Sequence, residues 1–394
     1  METNRQKTQS RAFAALMAGV LAAVVLLVPT PGASAETSPF ERAGMWIWYV
    51  DDSQGGSVSR IVRRARASRI GTVYIKSADG TGTWSQFTKS LVSQLKAAGL
   101  SVCGWQYVYG RSPIGEARAA AVAKQRGADC FVIDAETEYE GNYAGADLYI
   151  RKLRQLVGNS FPLGLSTFPY VHYHQAFPYS VFMGPRAATW NLPQIYWHTI
   201  GDSVRESVGI TWYQNRLYKR PIRPLGQTYE NPPLDELTEF RRLMLAYDAI
   251  PSWWSWQETN GAEWSRLGLA VRSAPANYEP ITSFPTLRKG SAGDQVVWMQ
   301  QHLVGAGLKS PISGIFGTKT RNAVREFQES RGLTTDGVVG GVTWRELLKV
   351  TPVRVLWGAA RSASGRNSRS SGASAPLSAS IPPVRNELAG APGR

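Results

Sequence analysis

From Met45 onward, short apolar runs rich in β-branched and aromatic residues alternate with stretches whose apolar positions recur every three or four residues. The first pattern predicts strands and the second helices. Residues 45–50, 72–76, 102–107, the run from Cys130, and 162–167, 193–197, 223–228 and 251–256 read as eight strands. Helices are predicted at 57–69, around Leu91 to Ala98, at 113–126 (Pro113 in its first turn), at 144–156, 203–217 and 235–247. Alternation of this kind over about 230 residues predicts a compact (β/α)8 TIM-type barrel spanning 40–272. An open doubly wound sheet is the alternative, but no glycine-rich phosphate fingerprint follows any strand.

The pattern changes on either side of this block. Arg5, Lys7 and Arg11 precede an apolar run from Ala12 to Val28, and the small triplet Ala33-Ser34-Ala35 follows, so 1–35 reads as a signal peptide. An uncleaved membrane anchor is the alternative, because the run is long for a signal. Residues 273–286 form a proline-containing linker. A compact all-α unit is predicted at 287–350, with Val296, Met299 and Leu303 on one helix face and Ala323, Val324 and Phe327 on another. From 351 to 394 the chain is rich in Ser, Gly, Ala, Pro and Arg, and disorder is expected.

Charge narrows the partners. The net charge is +15, and residues 36–350 hold 35 basic against 27 acidic residues. A moderately basic exported protein suits an anionic surface such as a bacterial wall. Export and the lack of a basic helix or stacking motif argue against nucleic acid. No stable membrane insertion is expected once the signal is cleaved, and a monomer is expected. Cys103 and Cys130 fall on adjacent predicted strands; a disulfide is chemically permitted, and two buried thiols are equally compatible.

The candidate chemistry centres on Cys130-Phe131-Val132-Ile133-Asp134-Ala135-Glu136. In a strand, Asp134 and Glu136 share a face with Cα atoms about 6.6 Å apart, twice the strand rise. Paired acids at the carboxyl end of a buried strand raise each other's pKa and suit acid/base work; an acidic turn is the plain alternative. In a barrel of this type the site lies at the carboxyl ends of the strands. Aromatic residues on the strands suit sugar stacking, with half of them expected in the core and Tyr196, Trp256 and Trp105 preferred as cleft residues. Lys76 and Gln227, near strand ends, are further candidate substrate contacts. His172 and His174 share a strand face without a carboxylate or cysteine at ligand spacing, so no metal and no cofactor is expected. His198 is a candidate polar neighbour of Tyr196.

Two resemblances add to this reading. Leu287-Arg288-Lys289-Gly290-Ser291, Gly293, Val296, Gln300, Leu303, Gly314, Phe316-Gly317, Thr320, Ala323-Val324, Phe327-Gln328, Gly332-Leu333, Asp336-Gly337, Gly340, Thr343 and Leu347 resemble the type 1 peptidoglycan-binding domain. That resemblance implies a three-helix module that holds wall enzymes to peptidoglycan. The strand ending Asp134-x-Glu136, with Asp51 closing the first strand, is similar to the muramidase-type lysozymes of glycoside hydrolase family 25. It implies Glu136 as proton donor, with Asp134 and Asp51 tuning it or stabilising developing positive charge. Asp129-x4-Asp134-x-Glu136, Tyr196 and a Trp on the eighth strand also resemble the chitinase-like family 18, in which the substrate's own acetamido group is the nucleophile. Only Glu258 follows the eighth strand where family 25 has an Asp. The function implied is a secreted or wall-associated glycoside hydrolase acting on peptidoglycan or another wall polysaccharide. A non-catalytic wall-binding protein with a degenerate barrel is the alternative.

Overall fold

The computed structural model describes residues 38–357; the predicted leader and residues 358–394 lie outside that range. In chain order the elements are β1 (Gly44–Ile47), α1 (Val58–Ala67), β2 (Thr72–Asp79), the two-residue β3 (Gly82–Thr83), α2 (Lys89–Ala97), β4 (Ser101–Val108), α3 (Pro113–Gln125), β5 (Cys130–Ala135) and α4 (Tyr143–Val157). There follow β6 (Leu163–Thr167), α5 (Tyr179–Phe182), β7 (Trp190–Ile195), α6 (Trp197–Ile200), α7 (Val204–Asn215), β8 (Leu225–Gln227), α8 (Leu234–Ala246), β9 (Ser252–Trp254) and α9 (Gly261–Gly268). The C-terminal unit holds α10 (Asp294–Gly305), α11 (Thr318–Ser330) and α12 (Gly341–Leu347).

Eight parallel strands run in the order β1-β9-β8-β7-β6-β5-β4-β2, and pairing of β1 with β2 closes them into a barrel. The two-residue β3 pairs antiparallel on β2 and stands outside the closed set. The fold is thus the predicted α/β barrel followed by a small helical domain. All eight predicted strands are present, with shifted ends: β1 stops at Ile47, β9 at Trp254, and β7 runs from Trp190 to Ile195. No helix is predicted between the fifth and sixth strands, and there β6 leads into a long loop and the single turn of α5. In addition α9, capped by reciprocal hydrogen bonds between Asn260 and Glu263, closes the barrel after β9.

Period-two alternation divides each strand between two cores. Outward residues such as Val73, Ile75, Phe131, Ile133, Leu163 and Leu165 join the helices in one large cluster. Inward residues Trp46, Tyr74, Cys103, Trp105, Cys130, Val132, Leu192 and Leu225 fill the barrel, with Phe40 plugging the amino-terminal end. Gly164 is required there, because a Cβ at that position would lie 2.6 Å from Leu192 Cδ1 and 3.1 Å from the Phe40 ring. Cys103 and Cys130 are register partners on β4 and β5 and form a disulfide inside the barrel, with Cα atoms 4.6 Å apart.

Cations explain how the amino-terminal face is sealed. Helix carboxyl ends leave carbonyls without partners, and here the preceding helix supplies them with donors. Arg66 of α1 donates to Ala98 O at 2.7 Å, Lys96 of α2 to Gly127 O at 3.1 Å, and Lys124 of α3 to Val157 O at 2.7 Å. Arg154 of α4 reaches Gly158 O, Phe161 O and Ala187 O, and Arg241 of α8 reaches Arg266 O in the last turn of α9 and Leu269 O just after it. Much of the basic surplus therefore has a structural use on the face opposite the candidate site.

The helical unit packs directly on the barrel, and residues 38–357 belong to one compact body. Trp298 of α10 donates to Leu217 O at 2.8 Å, and Lys219 donates to Leu348 O at 2.8 Å. The predicted linker thus leads into a docked domain and not a tethered one. Residues 351–357 of the predicted tail pack on the body: Val353 N donates to Gln301 O at 3.1 Å, and the Trp357 ring lies 4.6 Å from that of Tyr143; the rest of that prediction lies outside the described residues. Val353, Val355 and Trp357 are half-buried in this stretch, while Leu356 is exposed. Among the described residues, no helix is long and apolar enough to cross a membrane.

Candidate active site

At the carboxyl end of β5 the apolar run gives way to Asp134, buried within the barrel mouth, and Glu136, half-buried one residue beyond the strand. The inward parity that buries Cys130 and Val132 continues to both acids. Gln194, inward on β7, joins them. Its side-chain nitrogen lies 3.0 Å from Asp134 Oδ1, 3.0 Å from Glu136 Oε1 and 3.1 Å from Ser166 Oγ on β6.

Burial raises the Asp134 carboxyl well above its ordinary value, and the Glu136 charge adds to this; Lys76, Ser166 and Gln194 oppose it. Glu136 is raised too, chiefly by burial, with Glu138 adding and Gln194 and His174 opposing. Two such acids sharing one donor titrate as a unit and hold a proton to higher pH than either acid would in water. This is the electrostatic condition for one acid and one carboxylate in a single mouth.

The surrounding side chains close the mouth in layers. Tyr196, two residues beyond Gln194, is half-buried, and its ring packs edge-on against Tyr229 at 5.3 Å. Burial pushes its hydroxyl pKa well up, with Tyr229, Asp134, Glu136 and Glu258 adding to the effect. Tyr107 donates to Glu138 Oε2 at 2.8 Å. Trp48 and Trp254 are only partly buried and pack against the barrel-filling cluster, 5.7 Å from each other. His174 places Nδ1 2.7 Å from Glu140 Oε1 and stacks on Phe168.

Several predicted contacts sit elsewhere. Lys76 is 2% exposed, points inward, and has its ammonium ion-paired with Asp79 at 2.6 Å and surrounded by the Trp48, Trp84 and Trp105 rings at 4.4–4.9 Å, while its charge also acts on Asp134. A register shift in β2 between Lys76 and Ala78 accompanies this placement. Trp105 is 1% exposed and donates to Ile47 O, which makes it barrel filling. Trp256 is 3% exposed, because the strand ends at Trp254 and the following turn carries Trp256 outward against Trp264. Gln227 is fully buried; its oxygen accepts from His198 N and Thr199 N, and its nitrogen donates to Thr199 Oγ1 and Tyr229 O. It holds the loop after β7 in shape.

Asp51 does not join the acid pair. It is exposed in a turn four residues past the end of β1; the charges acting on Asp134 are those of Glu136 and Lys76, and those acting on Glu136 are those of Glu138 and His174. Glu258 is exposed and accepts from Ser255 Oγ at 2.7 Å. His172 is bonded to Gln214 at 2.7 Å, and His198 is exposed. Sequence reasoning missed Gln194 and Ser166, although Gln194 stands two residues before Tyr196 and therefore on its face.

The C-terminal unit can be placed among known proteins. Residues 292–347 match the family model described as "Putative peptidoglycan binding domain". The module belongs to that family. The 291 residues before it are outside the match, so the family is that of the module and not of the barrel. Among curated relatives, an uncharacterized protein of Kitasatospora aureofaciens is 41% identical over 68 residues, 17% of this chain and 58% of that protein. The spore cortex-lytic enzyme of Bacillus cereus is 31% identical over 88 residues, 22% of this chain and 34% of its own. The chain thus spans less than two thirds of the length of these relatives. A solved structure titled "putative Chitinase A from Streptomyces coelicolor" aligns over 59% of this chain and 98% of its own at 14% identity, with a TM-score of 0.42.

Proposed function

We propose that this protein is a secreted cell-wall glycoside hydrolase, muramidase-like in its target, whose barrel cleaves a wall polysaccharide while the peptidoglycan-binding module holds it to the wall. The observation that carries the reading is the pair Asp134–Glu136, joined through Gln194 at the carboxyl mouth of a closed barrel. Glycoside hydrolysis needs a protonated and an ionised carboxyl group beside an oxocarbenium-like transition state. Burial and mutual repulsion supply that division of states within one pair. Glu136, nearer the solvent, is the proton donor in this account; Asp134 lies deeper and supports it.

With Asp51 out in its turn, no third carboxylate hydrogen-bonds within the pair among the described residues. This favours the family 18 form of the chemistry, in which the substrate's acetamido group supplies the nucleophile and Tyr196 lies beside the pair. The same observation supports a second reading, a wall-binding protein whose barrel has kept a sugar cleft without turnover. The module's family, the predicted signal and the basic surplus support wall association under both readings.

Digestion of purified peptidoglycan and of N-acetylglucosamine oligomers, followed by mass spectrometry of the products, tests the proposal. New reducing ends support the hydrolase and identify the scissile bond. Binding to sacculi without new ends supports the second reading.

A further inference from the structure

The module meets the barrel through a fully buried carboxylate. Asp294, first residue of α10, accepts from Ser180 Oγ at 2.6 Å and Tyr143 Oη at 3.0 Å on Oδ1. On Oδ2 it accepts from Ser180 N at 2.8 Å and Tyr218 Oη at 2.8 Å. All four donors belong to the barrel, and together they satisfy a charge that burial would otherwise make costly. The backbone N–H of Asp294 points elsewhere, donating to Gln175 O at 2.8 Å. Gly293 comes equally close: a Cβ there would lie 2.7 Å from Gln175 Cβ and 2.9 Å from Gln175 O, and its φ of +103° suits glycine alone.

Gln175 lies in the long loop that joins β6 to α5, which has no helix of its own between Phe168 and Pro178. Its neighbour His174 is the residue that bonds Glu140 and stacks on Phe168 at the barrel mouth. The module's first helix and the side chains beside Glu136 are therefore separated by a single residue of one loop. A domain attached only through its linker would have no such contact.

We propose that Gly293 and Asp294 are positioning residues of the barrel's site. By clamping Gln175, the module holds the 168–178 loop so that His174 stays against Glu140 beside Glu136. For turnover the proposal rests on the glycosidase reading above; for loop order it stands apart from it.

The test uses the full chain as wild type, Gly293→Ala, Asp294→Ala and Asp294→Asn. Amide exchange of a peptide covering 168–178, the ring NMR signals of His174, pelleting with sacculi and turnover of a soluble oligosaccharide are compared. In Gly293→Ala and Asp294→Ala, exchange in 168–178 should rise about tenfold or more while β4 and β5 keep their protection. The His174 ring signals should shift, pelleting should be unchanged, and kcat should fall more than KM rises. Asp294→Asn, which keeps the shape and one acceptor, should recover part of each effect. Should Asp294→Ala fail to fold, Gly293→Ala and Asp294→Asn carry the comparison. Unchanged exchange and unchanged His174 signals in folded variants would overturn the proposal. A wild type without turnover would count against the glycosidase reading alone, since exchange and ring signals would still decide the loop's dependence on the module.

Discussion

Gln194 donates to Asp134 Oδ1 at 3.0 Å from the same nitrogen that reaches Glu136 Oε1 at 3.0 Å. One amide thus sets both carboxylates across two strands that are not neighbours in the barrel. A donor of this kind favours the ionised acids and partly offsets the rise caused by burial. In Gln194→Ala that offset is lost, so both acids should hold their protons to higher pH. The acidic limb of the kcat/KM profile should move up, with about a tenfold or greater loss of rate from lost positioning. A profile that keeps its acidic limb in place would show that Gln194 does not govern the pair.

Asp294 titrates in a different place and with a testable sign. Burial pushes its carboxyl from 3.8 up to about 6 against the hydrogen bonds of Ser180, Tyr218 and Tyr143, and Tyr179 packs on the Tyr218 ring beside it. The folded chain therefore binds this proton more tightly than the unfolded chain. Its contribution is fully present below about pH 4 and is lost as pH rises through about 6. Urea unfolding of wild type and Asp294→Asn should diverge across that window by on the order of 3 kcal/mol, toward the Asn variant at pH 7. A gap that stays constant from pH 4 to 7 would contradict a buried, ionising Asp294.

The disulfide closes a 27-residue separation inside the barrel. Chain-entropy arguments give such a link about 3.5 kcal/mol. Thermal unfolding with and without reductant, and of a Cys103→Ala/Cys130→Ala double variant, should show a loss of that order. No change in midpoint would show that the bond is not formed in solution.

Arg154 is the most heavily used of the carbonyl-capping cations, with four carbonyl partners at 2.7–3.3 Å and 7% exposure. Arg154→Met leaves the buried Phe161 and Ala187 oxygens unpaired and should cost roughly 3 kcal/mol or more. Arg66→Met removes one exposed cap and should cost under about 1 kcal/mol. Equal costs in chemical denaturation would show that burial does not separate the two.

Much of this architecture was legible in the alternation of the chain, because a barrel strand buried on both faces and a helix with one apolar stripe leave different periods. The stretch after β6 carries no helical or strand period, and there Tyr170, Val171 and Phe177 bury themselves from a loop. Within the site, parity along β5 was enough to set Asp134 and Glu136 together. Parity failed where strands end: Trp256 keeps the spacing of Trp254 but follows a turn, and Asp51 lies beyond β1 in another. Lys76 and Gln227 are inward as the pattern implies, yet their polar ends are consumed by Asp79 and by the loop after β7. Gln194 escaped notice because a lone amide on a strand carries no signal until the strands are closed around it. The docking of the module through Asp294 depends on surface shape that no period in the sequence records.

The most direct test of the central claim is release of reducing ends from purified peptidoglycan by wild type and Glu136→Gln, with folding checked by circular dichroism. The account predicts clearing by wild type and a rate lower by about 10²–10⁴ in the variant, the range for loss of a general acid. Clearing at the wild-type rate by folded Glu136→Gln would contradict it.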